Sequence, residues 1–162
     1  MIPEAVVQWL ERNGFGQPAG EHRVGGGCIN QGARLDTTSG TTFFLKTNRS
    51  TPADMFEREA EGLQVLASAR GPRVPKVFLF AEDFLLLEDL LPARRSADYW
   101  PSFGRQLAAL HQKIQLRHGF DHDNYIGSTP QPNTWEADGS TFFAERRLLF
   151  QARLARTRGL LG

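Results

Sequence analysis

The run Gly25-Gly26-Gly27 constrains the fold most, because it lies between extended stretches and no helix follows it. Glycine carries no Cβ, so such a run lets the backbone turn tightly or approach another group closely. Beyond it, residues 33–37 and 42–47 read as two strands around Ser39-Gly40, with Thr41, Thr42, Phe43 and Phe44 favouring an extended chain. Before it, residues 3–13 read as a short helix, in which Pro3 suits a first turn, Val6, Trp9 and Leu10 share a face, and Gly14 suits the position past the end; a loop is expected from there to the glycines. A second helix is predicted over about 53–69, with Thr51 as cap, Pro52 at its first position and Phe56, Leu63, Leu66 and Ala67 on its apolar stripe. Residues 76–80 and 84–88 then read as a hairpin around Glu82-Asp83. Strands packed with one helix make this an α+β pattern, an antiparallel sheet plus helix.

The texture changes after Leu91. Pro92, Pro101 and the polar residues between them read as a connector, residues 102–117 as an amphipathic helix through Leu107, Leu110 and Ile114, residues 119–139 as loop, and about 141–158 as a last helix. The expected organisation is a lobe at 1–90, a hinge or connector at 91–101 and a helical segment at 102–162. Charge and hydropathy exclude several classes. With 19 basic and 18 acidic residues the net charge is +1, which does not indicate a nucleic-acid binder. Arg146, Arg147, Arg153, Arg156 and Arg158 on the last helix are therefore read as a solvated face. The longest apolar run, Val77 to Ala81, is far short of the roughly 20 residues of a membrane span. One cysteine and no signal-peptide pattern point to the cytoplasm.

Four features could carry chemistry. GGGCINQG (25–32), with Gly25, Gly26, Gly27, Cys28 and Asn30, could present successive N–H groups to a phosphate. It is neither a P-loop, lacking the Lys-Ser or Lys-Thr, nor a dinucleotide fingerprint, lacking the helix. Lys46 ends the strand FFLK, Glu59 lies on the next helix, and Glu88-Asp89-Leu90 follow the apolar strand Phe84–Leu87. Each alone is ordinary: a hairpin loop, a surface lysine, a charged helix face, a polar strand end. In this order they match the layout of a kinase nucleotide lobe, in which the loop covers the phosphates, the lysine contacts them and the helix acid holds the lysine.

The stretches GGGCINQGARL (25–35), FFLKTN (43–48), MFEREAEGL (55–63), LLLEDL (85–90), GRQLAALHQ (104–112) and GFDHDNYIGSTPQPN (119–133) closely resemble the fructosamine and ketosamine-3-kinases, relatives of the aminoglycoside phosphotransferases. The resemblance implies a protein-kinase-like N-terminal lobe followed by a truncated helical start of the C-terminal lobe. It implies that Lys46 binds the α- and β-phosphates of ATP, that Glu59 pairs with it, that residues 25–32 form the glycine-rich loop, and that Glu88 to Leu90 contact adenine. It also implies ATP and Mg2+ for the complete enzyme, and a ketoamine small molecule or glycated protein as the partner phosphorylated on its sugar-derived 3-hydroxyl.

The family's His-Gly-Asp catalytic loop is absent from these 162 residues. His118-Gly119-Phe120-Asp121 has one residue too many and belongs to the GFDHDN stretch. Asp121, Asp123 and Asn124 fail the calcium-loop pattern, since Gly127 is one place late and Pro132 stands where a glutamate is required. No catalytic residue or metal ligand is therefore assigned, and the chain is expected to be inactive alone. A non-catalytic nucleotide-binding or interaction fragment, and a related small-molecule kinase, are the alternatives. Cys28 is a candidate redox-sensitive thiol, and the wide apolar stripes of the later helices predict self-association.

Overall fold

The computed structural model describes residues 1–25, 29–68 and 70–162, and they form two compact units, Met1–Gln112 and Lys113–Gly162. The first opens with α1 (Glu4–Arg12) and continues through β1 (Pro18–Val24), β2 (Gln31–Thr37), β3 (Thr42–Thr47), α2 (Met55–Ser68), β4 (Val77–Ala81), β5 (Phe84–Glu88) and α3 (Tyr99–His111). The strands make one antiparallel sheet in the order β1-β2-β3-β5-β4.

The two faces of this sheet follow from the alternation of side chains along each strand. Leu35, Phe43, Leu45, Phe84 and Leu86 point to one face and bury Val6 and Leu10 of α1, with Trp9, Phe15 and Phe78 packed around them. Leu85 and Leu87 point to the other and bury Phe56 and Ala60 of α2, with Phe44, Leu63 and Val77 alongside. β5 is covered on both faces, which explains why Phe84 to Leu87 is an unbroken apolar run rather than an alternating one.

Three local expectations are revised. β1 is a strand, although PAGEHRV lacks the apolar alternation of one: it is the sheet edge, and most of its side chains are exposed. α3 spans Tyr99–His111 rather than 102–117. Pro101 falls in its first turn, where a missing N–H costs no helical bond, while Ile114 and Leu116 are 88% and 97% exposed and so contribute nothing to an apolar stripe. α2 starts at Met55, two residues late, because Pro52 to Asp54 form the turn in which Met55 N–H donates to Pro52 O at 3.1 Å.

The second unit holds β6 (Asn124–Ile126) and β7 (Thr129–Gln131), a short hairpin within the stretch read as loop. Its final helix runs as α4 (Gly139–Phe142), a π-helical segment (Phe143–Leu149) and α5 (Phe150–Thr157). Asp138 caps α4, its Oδ1 accepting from the Thr141 N–H at 2.7 Å and the Thr141 hydroxyl at 2.8 Å; these bonds hold its carboxyl below the ordinary carboxylate range. Gly119 has φ of +152°, and a Cβ there would lie 2.7 Å from Asn133 O and 2.9 Å from Trp135 Cα. Both obstacles are backbone and cannot swing aside, so Gly119→Ala is expected to lower the stability of this unit by about 2 kcal/mol. Thermal unfolding followed by Trp135 fluorescence checks this.

Candidate functional site

Lys46 is two residues beyond Phe44 on β3, so it shares the sheet face that carries α2. Burial of Phe56 and Ala60 fixes α2 on that face and brings Glu59 to the lysine. Lys46 Nζ donates to Glu59 Oε1 at 2.5 Å and Oε2 at 2.7 Å. The side chains are 23% and 31% exposed, so the pair is held by its neighbours yet open to a ligand from solvent. This is the juxtaposition the sequence predicts.

Opposite Lys46 on β2 is Gly32, and a Cβ there would come within 2.9 Å of Phe44 Cζ. The Phe44 ring thus lies across the glycine on the Lys46 face, a close approach that requires the absence of a side chain. Val24, opposite Gly32 on β1, is exposed on the same face. Of the predicted glycine-rich residues, Gly25 follows β1, and the Asn30 side chain accepts from Asn48 Nδ2 at 3.2 Å. Gly26, Gly27 and Cys28 lie outside the described residues, so the redox expectation for Cys28 does too.

At the other end of the face, Leu85 is opposite Lys46 and Glu88 opposite Phe43, so the chain leaves β5 about 10 Å along the strand from the lysine. The Glu88 carboxylate accepts from the Lys76 N–H at 3.2 Å and from Arg73, and these two partners hold it below its ordinary value. Asp89, its side chain only 7% exposed, accepts from Arg34 Nε at 2.6 Å. Neither carboxylate is free, and Arg34 is a member of this face that sequence reasoning did not single out. Residues 89–98 carry no helix or strand before α3 begins.

A cavity of about 240 Å³, lined among others by Arg23, Ala33, Leu45 and Thr47, opens on the α1 face. It is not the surface of the Lys46–Glu59 pair, since Ala33 and Leu45 alternate with Gly32 and Lys46. Among the described residues no group of three or more His, Cys, Asp or Glu side chains comes together to hold a metal ion, and no helix is long and apolar enough to cross a membrane.

In the second unit, the reading of the basic helix as a solvated face fails for two of its arginines. Arg146 Nη2 donates to Glu136 Oε1 at 2.6 Å. Arg147 donates from Nη1 to Pro132 O at 2.6 Å and from Nη2 to Asn133 Oδ1 at 2.5 Å, over the Phe142 ring at 4.5 Å. Burial pushes its pKa down, opposed by the charge of Asp123. Asp123 itself closes the loop by accepting from the Asn133 N–H at 2.7 Å. The π-helical segment coincides with both arginines, and such segments commonly occur where a helix must redirect side chains.

The family model described as fructosamine kinase matches residues 1–161. "Protein-ribulosamine 3-kinase, chloroplastic" of Arabidopsis thaliana is 41% identical over 164 residues, covering 96% of this chain and 50% of the relative. "Probable ketoamine kinase slr1563" of Synechocystis sp. is 41% identical over 140 residues, 83% of this chain and 47% of the relative. A crystal structure of a presumptive fructosamine-3-kinase from Thermobifida fusca YX-ER1 superposes with a TM-score of 0.84 at 29% identity, covering all of this chain and 57% of that one. The chain spans about half the length of the relatives it matches.

Proposed function

The chain belongs to the fructosamine kinase family, and from that premise we propose that its first unit is the nucleotide-binding lobe of an ATP-dependent ketoamine 3-kinase. The observation that carries the reading is the Lys46–Glu59 pair, formed on the sheet face where the glycine-rich segment returns. Lys46 neutralises the α- and β-phosphates, and Glu59 holds its ammonium in place. N–H groups of Gly25 and of residues 29–32 lie over the phosphates, and the main chain past Glu88 meets the adenine edge. The Asp89–Arg34 pair anchors that stretch of main chain to β2.

In the whole protein, the γ-phosphoryl group passes from ATP to the 3-hydroxyl oxygen of a ketoamine formed by a sugar on an amine or a protein lysine. The bond to the β-phosphate oxygen breaks, ADP leaves, and the hydroxyl proton goes to a carboxylate base. Residues 1–162 contain no His-Gly-Asp to supply that base. Among the described residues no group of three or more His, Cys, Asp or Glu side chains gathers for a metal ion, and Glu59 and Asp89 are engaged by Lys46 and Arg34.

The 162-residue chain is therefore expected to bind ATP and not to transfer phosphate at a useful rate. Titration calorimetry with ATP in magnesium buffer checks the first part: saturable one-to-one binding is expected, and a flat trace at millimolar ATP overturns the nucleotide reading. Robust phosphorylation of a fructosyl amine by the same chain overturns the second.

A further inference from the structure

Asn48 follows Lys46 by two residues, just past the end of β3, and every polar group it owns is engaged. Its Nδ2 donates to Ile29 O at 2.7 Å and to Asn30 Oδ1 at 3.2 Å. Its Oδ1 accepts from the Ser50 N–H at 2.9 Å. Its main-chain N–H donates to Asp83 O at 3.0 Å, and its carbonyl accepts from the Thr51 hydroxyl at 3.5 Å. One half-buried side chain thus joins the first described residues after the glycine run to the approach to α2, while its backbone ties both to the turn between β4 and β5.

We infer that Asn48 is a positioning residue for the nucleotide phosphates: it fixes Ile29 and Asn30, and with them the start of β2, against the strand that carries Lys46. This rests on the nucleotide-binding reading above and adds to it a residue that does not touch the nucleotide. The chemistry selects asparagine. Two donors are needed for the two oxygens of Ile29 and Asn30, and one acceptor for Ser50. Aspartate has the same shape but no donor, and its charge would face both oxygens. Alanine leaves the Ile29 carbonyl and the Ser50 N–H without these partners.

A merely structural staple would weaken the fold and every ligand alike. A positioning residue acts only on the part of the affinity that comes from phosphate. The test compares ATP with adenosine on wild type and Asn48→Ala, together with amide hydrogen exchange across residues 29–31. ATP affinity is expected to fall about tenfold, the worth of one or two hydrogen bonds. Adenosine affinity stays within about twofold, and exchange at 29–31 accelerates before ligand is added. Equal losses for both ligands, or unchanged exchange at 29–31, overturn the inference while leaving the nucleotide site intact. Failure of the wild type to bind ATP overturns the site and the inference together, and Lys46→Met separates the cases, because it removes a phosphate contact without touching Asn48. If Asn48→Ala does not fold, Asn48→Ser, which keeps an acceptor near Ser50, carries the same comparison with the same outcomes.

Discussion

Lys46→Met is expected to weaken ATP binding by about 100-fold, close to 3 kcal/mol, while the chain stays folded. Two contributions make up the figure. A hydrogen bond to a charged group is worth roughly 1.5–3 kcal/mol, and Lys46 is the side chain that would meet the phosphates. The substitution also strips Glu59 of its partner, leaving a carboxylate facing a polyanion. The fold loses far less, because Glu59 is 31% exposed and can take water in place of the ammonium; a partly exposed pair contributes up to about 1 kcal/mol. Glu59→Gln should be milder, near tenfold, because the amide oxygen still accepts from Lys46 and the ammonium left without its carboxylate remains to meet the phosphates. The exchanged pair Lys46→Glu with Glu59→Lys separates the two roles, since it preserves an ion pair but moves the cation to α2. Its stability should return toward wild type while ATP binding remains lost. Calorimetric titration beside thermal melts reads both quantities, and wild-type ATP affinity in Lys46→Met would remove the basis of the nucleotide reading.

The Lys46–Glu59 juxtaposition was legible in the order of the motifs and in the family resemblance, and two strong periodicities explain why the fold delivers it. A strand alternates its faces, so Phe44 and Lys46 must share one. A helix with Phe56, Ala60 and Leu63 on its stripe must lay that stripe on the apolar face of the sheet. β5 was legible for the same reason, its four apolar residues serving both faces. What escaped has no period to read. β1 and the three-residue strands β6 and β7 are held by backbone pairing at an edge or in a hairpin, to which polar side chains contribute little. Asn48 and Arg34 act through contacts far apart in the sequence, 18 and 19 residues for Asn48 with Asn30 and Ile29 and 55 for Arg34 with Asp89. Arg147 belongs to a run that is exposed at Arg153, so composition alone could not divide the buried arginines from the solvated ones.

That division yields the second large effect. Arg147→Met is expected to destabilise the Lys113–Gly162 unit by about 3 kcal/mol, because it removes one partner from a buried network and leaves the other without it. Asn133 is 2% exposed, and the guanidinium supplies the donors that meet its Oδ1 and the Pro132 carbonyl. Methionine fills the space over Phe142 but donates nothing to either oxygen. Arg147→Lys retains the charge and loses the planar fork, so one ammonium must choose between two acceptors; about 2 kcal/mol is expected there. For a unit this small, 3 kcal/mol corresponds to a fall in melting temperature of roughly 30 °C. Trp135 reports the transition in a Trp9→Phe, Trp100→Phe background, because the other two tryptophans lie in Met1–Gln112. Arg153→Met is the control: its side chain is 71% exposed and 3.7 Å from Glu145, so its removal should stay within about 0.5 kcal/mol. Equal melting temperatures for the Arg147 and Arg153 variants would show that the loop from Gly119 to Asn133 holds its shape without the guanidinium, through the Asp123–Asn133 bond and the β6–β7 pairing alone.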